Sequence, residues 1–470
     1  MMQVVSPIDA SVLAELEPET AAGVAARISA AKEAQVGWAR RTATDRGRIL
    51  GDVAAAIERR ATEIAELESR NTGKILSDTK REVLRAAEAF RYYAGWADKV
   101  VGETIPVDED HLVYTLREPY GVVAGIIPWN VPFFFAAKKI APSLAFGNAC
   151  VLKPAEDTPL TALLLSDLLV EAGVPENLVQ VLVGGREVGA AIVASRDIDL
   201  IVFTGSDATG KAIARSAADN LIPIALELGG KSPQVLFADA DLDRAIDAVS
   251  LGVFASCGQM CIAGSRLIVH ESIHREVVDR LSERVRNFIV GNPFESATDI
   301  GPQITSLQRD KTLAFIEESK GVGTIVAQSK MPTDPSIANG FFVPPTIFDD
   351  LDPNARLLRE EVFGPVLAVT KFSSDDEAVQ LANSTEFGLS AGIWTSDISR
   401  AHKVARAIKA GTVWINTYRI LSELVPFGGV GSSGYGRENG TEAARLYTRP
   451  KSVWTSLNPG ISAQFKLGSH

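Results

Sequence analysis

The chain has 470 residues, 46% of them hydrophobic, with 47 basic against 58 acidic side chains and a formal net charge of -11. That length supports two or three domains with large cores, and an acidic chain without a long basic run is a poor binder of nucleic acid or of an anionic membrane surface. The three cysteines, Cys150, Cys257 and Cys261, make no disulfide framework and suit a reducing compartment, so a cytoplasmic protein is expected.

Residues 1 to 20 show no secretory pattern, and the longest apolar run, Gly121 to Ala137, is interrupted by Pro128, Asn130 and Pro132 and is too short to span a bilayer. The first part reads as helical. Ile49, Val53, Ile57, Ile64 and Leu67 recur at helical steps along one apolar face, and Gly73 in NTGK supplies a stop. A second helix is predicted over 77–96, with Val83, Ala87 and Phe90 inward. HLVYTLREPYG then reads as an extended, partly polar strand after a linker at Gly102 and Pro106.

From Val122 the texture alternates. VVAGIIP, ACVLKP, LVQVLVG, DLIVFTGS, PIALELG and SPQVLF are strand-like, with helical stretches between most of them. Strands apolar on both faces and separated by helices predict a parallel sheet covered on each side. A second α/β unit follows Asp241, with strands at RLIVHES, VFGPVLAVTKF and TVWINT and helices over 275–288, 375–382 and 398–410. PFGGVGSSGYGRENG reads as a glycine-rich loop, TRPKSVWTSL as a last strand, and the final Gly468, Ser469 and His470 as the start of a tag scar.

Ligands of open parallel sheets bind beyond the carboxyl ends of the strands, and several strand ends here carry reactive groups. Lys153 and Glu156 could grip a ribose by its hydroxyls; a surface salt bridge explains the pair equally well. Gly205, Ser206 and Gly210 open a helix whose free N–H groups could meet a pyrophosphate, although the spacing is not the G-x-G-x-x-G fingerprint. Glu227, before Gly229 and Gly230, could be a general base or a buried glutamate paired with a cation. Asn130 between two prolines could donate to an oxyanion or simply make a turn. Cys261 in GQMCIAGSR could be a nucleophile or an inert buried thiol. Cys257 and Cys261 could share a helical face, but without histidine or further cysteine ligands no metal site is expected.

The motifs IIPWN, LKPAE, FTGS, ELGGKSP, GQMCIAGSR, EEVFGP and PFGGVGSSGYGRENG, in this order and spacing, resemble the aldehyde dehydrogenase superfamily along nearly the whole chain, closest to its bacterial NAD-dependent members. The resemblance implies an α/β fold with a Rossmann-like cofactor domain (1–99 and 120–229), an α/β catalytic domain (230–436) and a small β bridging element (100–119 and 437–470) that builds a homodimer or homotetramer. It implies Cys261 as nucleophile, Glu227 as general base, and Asn130 with the Cys261 N–H as oxyanion hole, with Lys153 also contributing to catalysis.

For the cofactor, NAD, it implies a cleft lined by Ile126, Ile127, Pro128, Trp129, Pro154 and Ala155, with Lys153 and Glu156 at the adenosine ribose. Gly205 and Ser206 lie at the pyrophosphate, Glu361 and Phe363 at the nicotinamide ribose and ring, and Gly185, Gly189, Phe203, Thr204, Leu228 and Gly229 are further cofactor-binding residues. Phe134, Phe135, Lys138, Met260, Ile262, Arg419 and Phe427 would form the substrate funnel, with Phe133, Phe134 and Phe135 as an apolar wall. Lys138 falls where many relatives have an aromatic residue; Lys138 and Arg419 are therefore read as two cations favouring a distal carboxylate, against a solvent-facing lysine and an inter-subunit salt bridge.

The implied reaction turns an aldehyde, such as a semialdehyde or an aromatic aldehyde, into an acid through a thioester. A CoA-acylating relative is the alternative within catalysis, disfavoured because that branch generally lacks the base at Glu227. A non-catalytic protein on the same fold is the alternative outside it. The stretch before SPIDAS is short for the family, which implies a trimmed or differently packed strand pair there.

Overall fold

Five segments that are apolar on both faces, Val179–Val181, Ala149–Lys153, Val122–Ile126, Leu200–Thr204 and Ile224–Glu227, lie side by side as a parallel sheet in the computed structural model, which describes residues 1–458. Helices cover both faces because neither can meet water. A second, seven-stranded sheet runs in the order Thr324–Gln328, Thr346–Asp349, Val366–Phe372, Arg266–His270, Pro233–Leu236, Ser390–Trp394 and Thr412–Ile415. SPQVLF therefore belongs to this second sheet, not to the first.

The tail strand Thr448–Ser456 pairs antiparallel with His111–Pro119, which also holds Thr104–Ile105 in a separate three-stranded sheet. Residues 459–470, including the suspected tag scar and the end of the bridging segment, lie outside the described residues.

Four local expectations are corrected. The apolar face of the first region does not belong to one helix: Ala43–Arg59 and Ala61–Thr72 are separate, broken at Arg60 (φ -105°, ψ 15°). The segment VFGPVLAVTKF enters its strand only at Val366, because Phe363 has φ 57° and cannot continue an extended chain. The glycine-rich segment is not wholly loop. Gly434–Tyr435 pairs antiparallel with Glu227 and Leu226 and becomes the sixth strand of the first sheet. A Cβ on Gly434 would lie 2.0 Å from the Leu226 carbonyl oxygen, so only glycine approaches that closely. Finally, the N-terminal strands flank SPIDAS instead of preceding it as a pair: Met2–Val5 and Val12–Leu16 pair antiparallel, with SPIDAS as their connection.

The helix Pro132–Ala145 positions the site. All but one of its fourteen residues are buried, so two adjacent lysines, Lys138 and Lys139, are carried into the interior, where both reach Glu438. No helix among the described residues is long and apolar enough to cross a membrane.

Candidate active site

The first sheet ends at Glu227, and the turn that follows crosses to the second. Gly229 and Gly230 allow the crossing: a Cβ on Gly230 would meet the Cys261 carbonyl oxygen at 2.8 Å, and one on Gly229 would meet Glu361 Oε2 at 2.2 Å. These two glycines thus bring Glu227, Cys261 and Glu361 to one place. The Gly230 N–H donates to Glu361 Oε1 at 2.9 Å.

Cys261 lies in the turn after the short helix Ala255–Gly258, with Ser256 and Cys257 both at positive φ. Its loop is tied down by the Tyr418 hydroxyl, which donates to the Ile262 carbonyl at 3.0 Å, and by the Gly264 N–H on the Gly252 carbonyl at 3.1 Å. The thiol is pushed up to about 12, first by burial and then by the negative charges of Glu361 and Glu227. With both carboxylates charged, the sulfur is held as a thiol; a thiolate forms there only when something takes the proton or offsets those charges.

Glu227 is only 4% exposed, and neither of its carboxyl oxygens has a hydrogen-bond partner among the described residues. Burial, and next the charge of Glu438, raise its carboxyl to about 8, against the pull of Lys138, Lys139 and Arg437. An unpartnered buried carboxyl is costly to keep, and such groups concentrate where chemistry needs them. Gly428 leaves room for it, since a Cβ there would sit 2.6 Å from Glu227 Oε1.

Asn130 donates through Nδ2 to the Gln259 carbonyl at 2.8 Å and lies 3.9 Å from the Met260 sulfur, so its amide reaches the segment next to Cys261. Met260 is half-buried and Ile262 buried on either side of the cysteine.

Around the first sheet, Lys153 is buried at its strand end, donates to the Pro154 carbonyl at 3.1 Å and stands 3.6 Å from Glu156 Oε2. Glu156 is exposed and Ala155 partly so, which leaves that edge open. Gly189 packs on the Lys153 stem, and Gly185 caps the helix Arg186–Ala194. Ser206 caps Asp207–Asp219 by accepting from the Thr209 N–H at 3.3 Å. A Cβ on Gly205 would clash with the Phe203 ring at 2.4 Å, and one on Gly210 with Leu228 at 2.7 Å. Ile126 and Ile127 are buried below, Pro128 and Trp129 partly exposed, and Trp129 meets Phe363 edge to face at 5.2 Å. Burial raises Glu361 to about 7.

The substrate side differs from the sequence reading. Lys138 is neither solvent-facing nor a free cation: its Nζ is 2.8 Å from Glu438 Oε2 and 4.9 Å from the centre of the Phe427 ring. Burial works against its charge, but Glu438, Glu423 and Glu227 hold it protonated. The reading missed that Glu438, two residues before Gly440, would turn inward; Lys139 also bonds it and donates to Thr204 Oγ1 at 2.8 Å. The signal available was a carboxylate inside a glycine-rich run and a lysine pair inside an apolar helix.

Arg419 makes one hydrogen bond, from Nη1 to the Leu251 carbonyl at 2.8 Å, and pairs with no carboxylate within 4.0 Å among the described residues. Arg85, also missed, covers the Phe134 ring at 4.5 Å and reaches Glu423 at 3.8 Å. Phe134 and Phe135 adjoin, 6.1 Å apart.

Known proteins resemble this chain along nearly its whole length. The aldehyde dehydrogenase family profile matches residues 1–453. An aldehyde dehydrogenase of Emericella nidulans is 42% identical over 464 residues, covering 98% of this chain and 93% of its own. Among solved structures, PnpE in complex with nicotinamide adenine dinucleotide superposes with a TM-score of 0.97 at 43% identity, covering 99% of this chain and 96% of its own. Betaine aldehyde dehydrogenase from Staphylococcus aureus in complex with NAD+ does so with 0.96 at 37%, covering 98% and 93%. With the profile spanning nearly every described residue and the two sheets meeting at a buried carboxyl and a cysteine, this chain belongs to the aldehyde dehydrogenase family.

Proposed function

We propose that this chain oxidises an aldehyde to a carboxylic acid with NAD, by way of a thioester on Cys261. The observation that carries the reading is the buried, unpartnered Glu227 carboxyl close enough to Cys261 for its charge to act on the thiol. Cys261 releases its thiol proton to solvent, the thiolate sulfur adds to the aldehyde carbon, and the oxyanion so formed is held by the Asn130 side-chain amide and the Cys261 N–H. NAD, when bound, supplies the acceptor for the hydride that leaves this carbon, which makes the hemithioacetal a thioester. Glu227 then takes a proton from water, the hydroxide adds to the thioester carbonyl, and the sulfur departs as the acid is released.

The cleft suits the dinucleotide. The N-terminus of the thirteen-residue helix Asp207–Asp219 offers free N–H groups to a pyrophosphate beside Gly205 and Ser206, and Gly229 leaves beside Glu361 a space that a Cβ would fill. Lys153 and Glu156 would hold the adenosine ribose, and Glu361 and Phe363 the nicotinamide half. Production of NADH on mixing the protein, NAD and an aldehyde, followed by absorbance, tests the reading; an aldehyde panel giving no NADH overturns it.

The cofactor prediction follows from Glu156. Its carboxylate accepts from a ribose 2′-hydroxyl and repels a 2′-phosphate. NAD should exceed NADP in kcat/KM by at least about tenfold, roughly one charge-assisted contact. A preference for NADP would contradict that role.

With Lys138 neutralised by Glu438, Arg419 is the group left to receive a distal carboxylate, beside an apolar wall of Phe134, Phe135 and Phe427. The proposed substrates are accordingly semialdehyde acids, with aromatic aldehydes as the competing class. Arg419→Leu should lower kcat/KM for a semialdehyde acid by about 10- to 100-fold, and change that for a neutral aldehyde of equal length less than about threefold, the worth of one charged hydrogen bond. Equal specificity constants for the two classes in the unmodified enzyme would remove this assignment.

Homo-oligomerisation, as dimer or tetramer, is supported by the outer edge of Thr448–Ser456, which pairs with no further strand among the described residues and where Trp454 is 57% exposed. A cytoplasmic location accords with three unpaired cysteines.

A further inference from the structure

The NTGK stretch does more than end a helix. Gly73 caps Ala61–Thr72 in the left-handed region (φ 73°), its N–H on the Ser69 carbonyl at 2.8 Å, and a Cβ there would meet Pro302 at 2.6 Å and Pro7 at 2.8 Å. The reversal drives the next side chain, Lys74, inward until it is 3% exposed. Its ammonium binds the Glu82 carboxylate and donates to the main-chain carbonyl of Asn130 at 3.0 Å. Three residues further along the same turn, the Phe133 N–H donates at 3.1 Å to Glu68, which is 0% exposed and also accepts from Thr161 Oγ1 at 2.6 Å.

The turn carrying Asn130 is thus gripped at its carbonyl by a buried cation and at its helix entry by a buried carboxylate, both from the Ala61–Lys74 region. Burying a lone ammonium costs several kcal/mol unless it is paired and bonded. Of this ammonium's two bonds, one goes to its counter-ion and the other to the Asn130 peptide.

We propose that Lys74, held by Glu82, is a positioning residue for the oxyanion hole: its hydrogen bond to the Asn130 carbonyl fixes the turn that aims the Asn130 amide at the substrate oxygen. The proposal rests on Asn130 being the oxyanion donor. A displacement of an ångström at such a donor loses on the order of 10²-fold in rate.

The test is a double-mutant cycle of Lys74→Met and Asn130→Ala in the full-length protein, with melting temperature and NAD affinity recorded for each variant. Two readouts are used: the pre-steady-state rate of NADH formation, and cofactor-free acylation of Cys261 by p-nitrophenyl acetate, which needs the same oxyanion hole. Lys74→Met should slow both by about 10- to 100-fold in the unmodified background and by less than about threefold when Asn130 is already alanine. NAD affinity should stay within about twofold, and Lys74→Arg, which keeps a charged donor, should recover part of the loss.

Equal losses in both backgrounds, or no loss from Lys74→Met, overturn the role of Lys74. An unchanged rate in Asn130→Ala alone instead overturns the assignment of Asn130. Glu82→Gln is the second variant if Lys74→Met does not fold: it should slow the same acylation by about 3- to 10-fold, and an unchanged rate overturns the proposal.

Discussion

Cys261→Ala should lose aldehyde oxidation by at least about 10⁴-fold while still binding NAD, because removal of a covalent nucleophile leaves only binding and electrostatic stabilisation. The sulfur is one atom at the edge of a half-buried loop held by Tyr418 and Gly264, so alanine leaves the hydrogen bonds of that loop intact. Melting temperature should change little. Alkylation by iodoacetamide should inactivate the native enzyme and be slower at low pH, since the thiol is pushed up to about 12 by burial and by Glu361 and Glu227. Full turnover with Cys261 alkylated or replaced would end the thioester reading.

Glu227→Gln should separate the two halves of the cycle. The first half, up to the thioester, does not use the carboxylate as a base for water. A burst of NADH close to one per active site is therefore expected, followed by a steady state slowed roughly 10²- to 10⁴-fold. In the native enzyme the carboxyl lies raised to about 8. Below that pH it is mostly protonated and cannot accept a proton from water; above it, it can. Where hydrolysis limits turnover, kcat should rise with pH up to about 8 and then level, and Glu227→Gln should flatten that rise. Steady-state loss with no burst would place Glu227 in the first half instead.

The parallel strands of the first sheet were legible because burial on two faces leaves an apolar, β-branched signature, as were Arg266–His270, Val366–Phe372 and Thr412–Ile415 of the second, whereas Thr324–Gln328, Thr346–Asp349 and Ser390–Trp394 were not; the helix of Leu76–Trp96 was legible because Val83, Ala87 and Phe90 repeat at helical steps. The ordered motifs pointed to the family for a different reason: each combines a glycine or proline that shapes a strand end with one chemically distinctive side chain. Less legible was anything that depended on a partner far away in the chain. Glu68 interrupts an apolar face and would be taken for a solvent contact, yet it is buried because Phe133 and Thr161 supply donors. Lys138 was read as a cation facing substrate because nothing near it in sequence neutralises it.

By itself, then, the sequence determined the α/β architecture of two successive units, which follows from short-range pattern, and through its ordered motifs it pointed to the family and so to Cys261 and Glu227. Only the tertiary structure decided which buried polar groups meet: Glu438 with Lys138 and with Lys139, the latter 299 positions away, and Lys74 with the carbonyl of Asn130, 56 positions away. The reason is that a buried charge is tolerated only beside a compensating group, and the fold alone, through glycines such as Gly73, Gly229 and Gly434 that let backbones approach, determines which group that is.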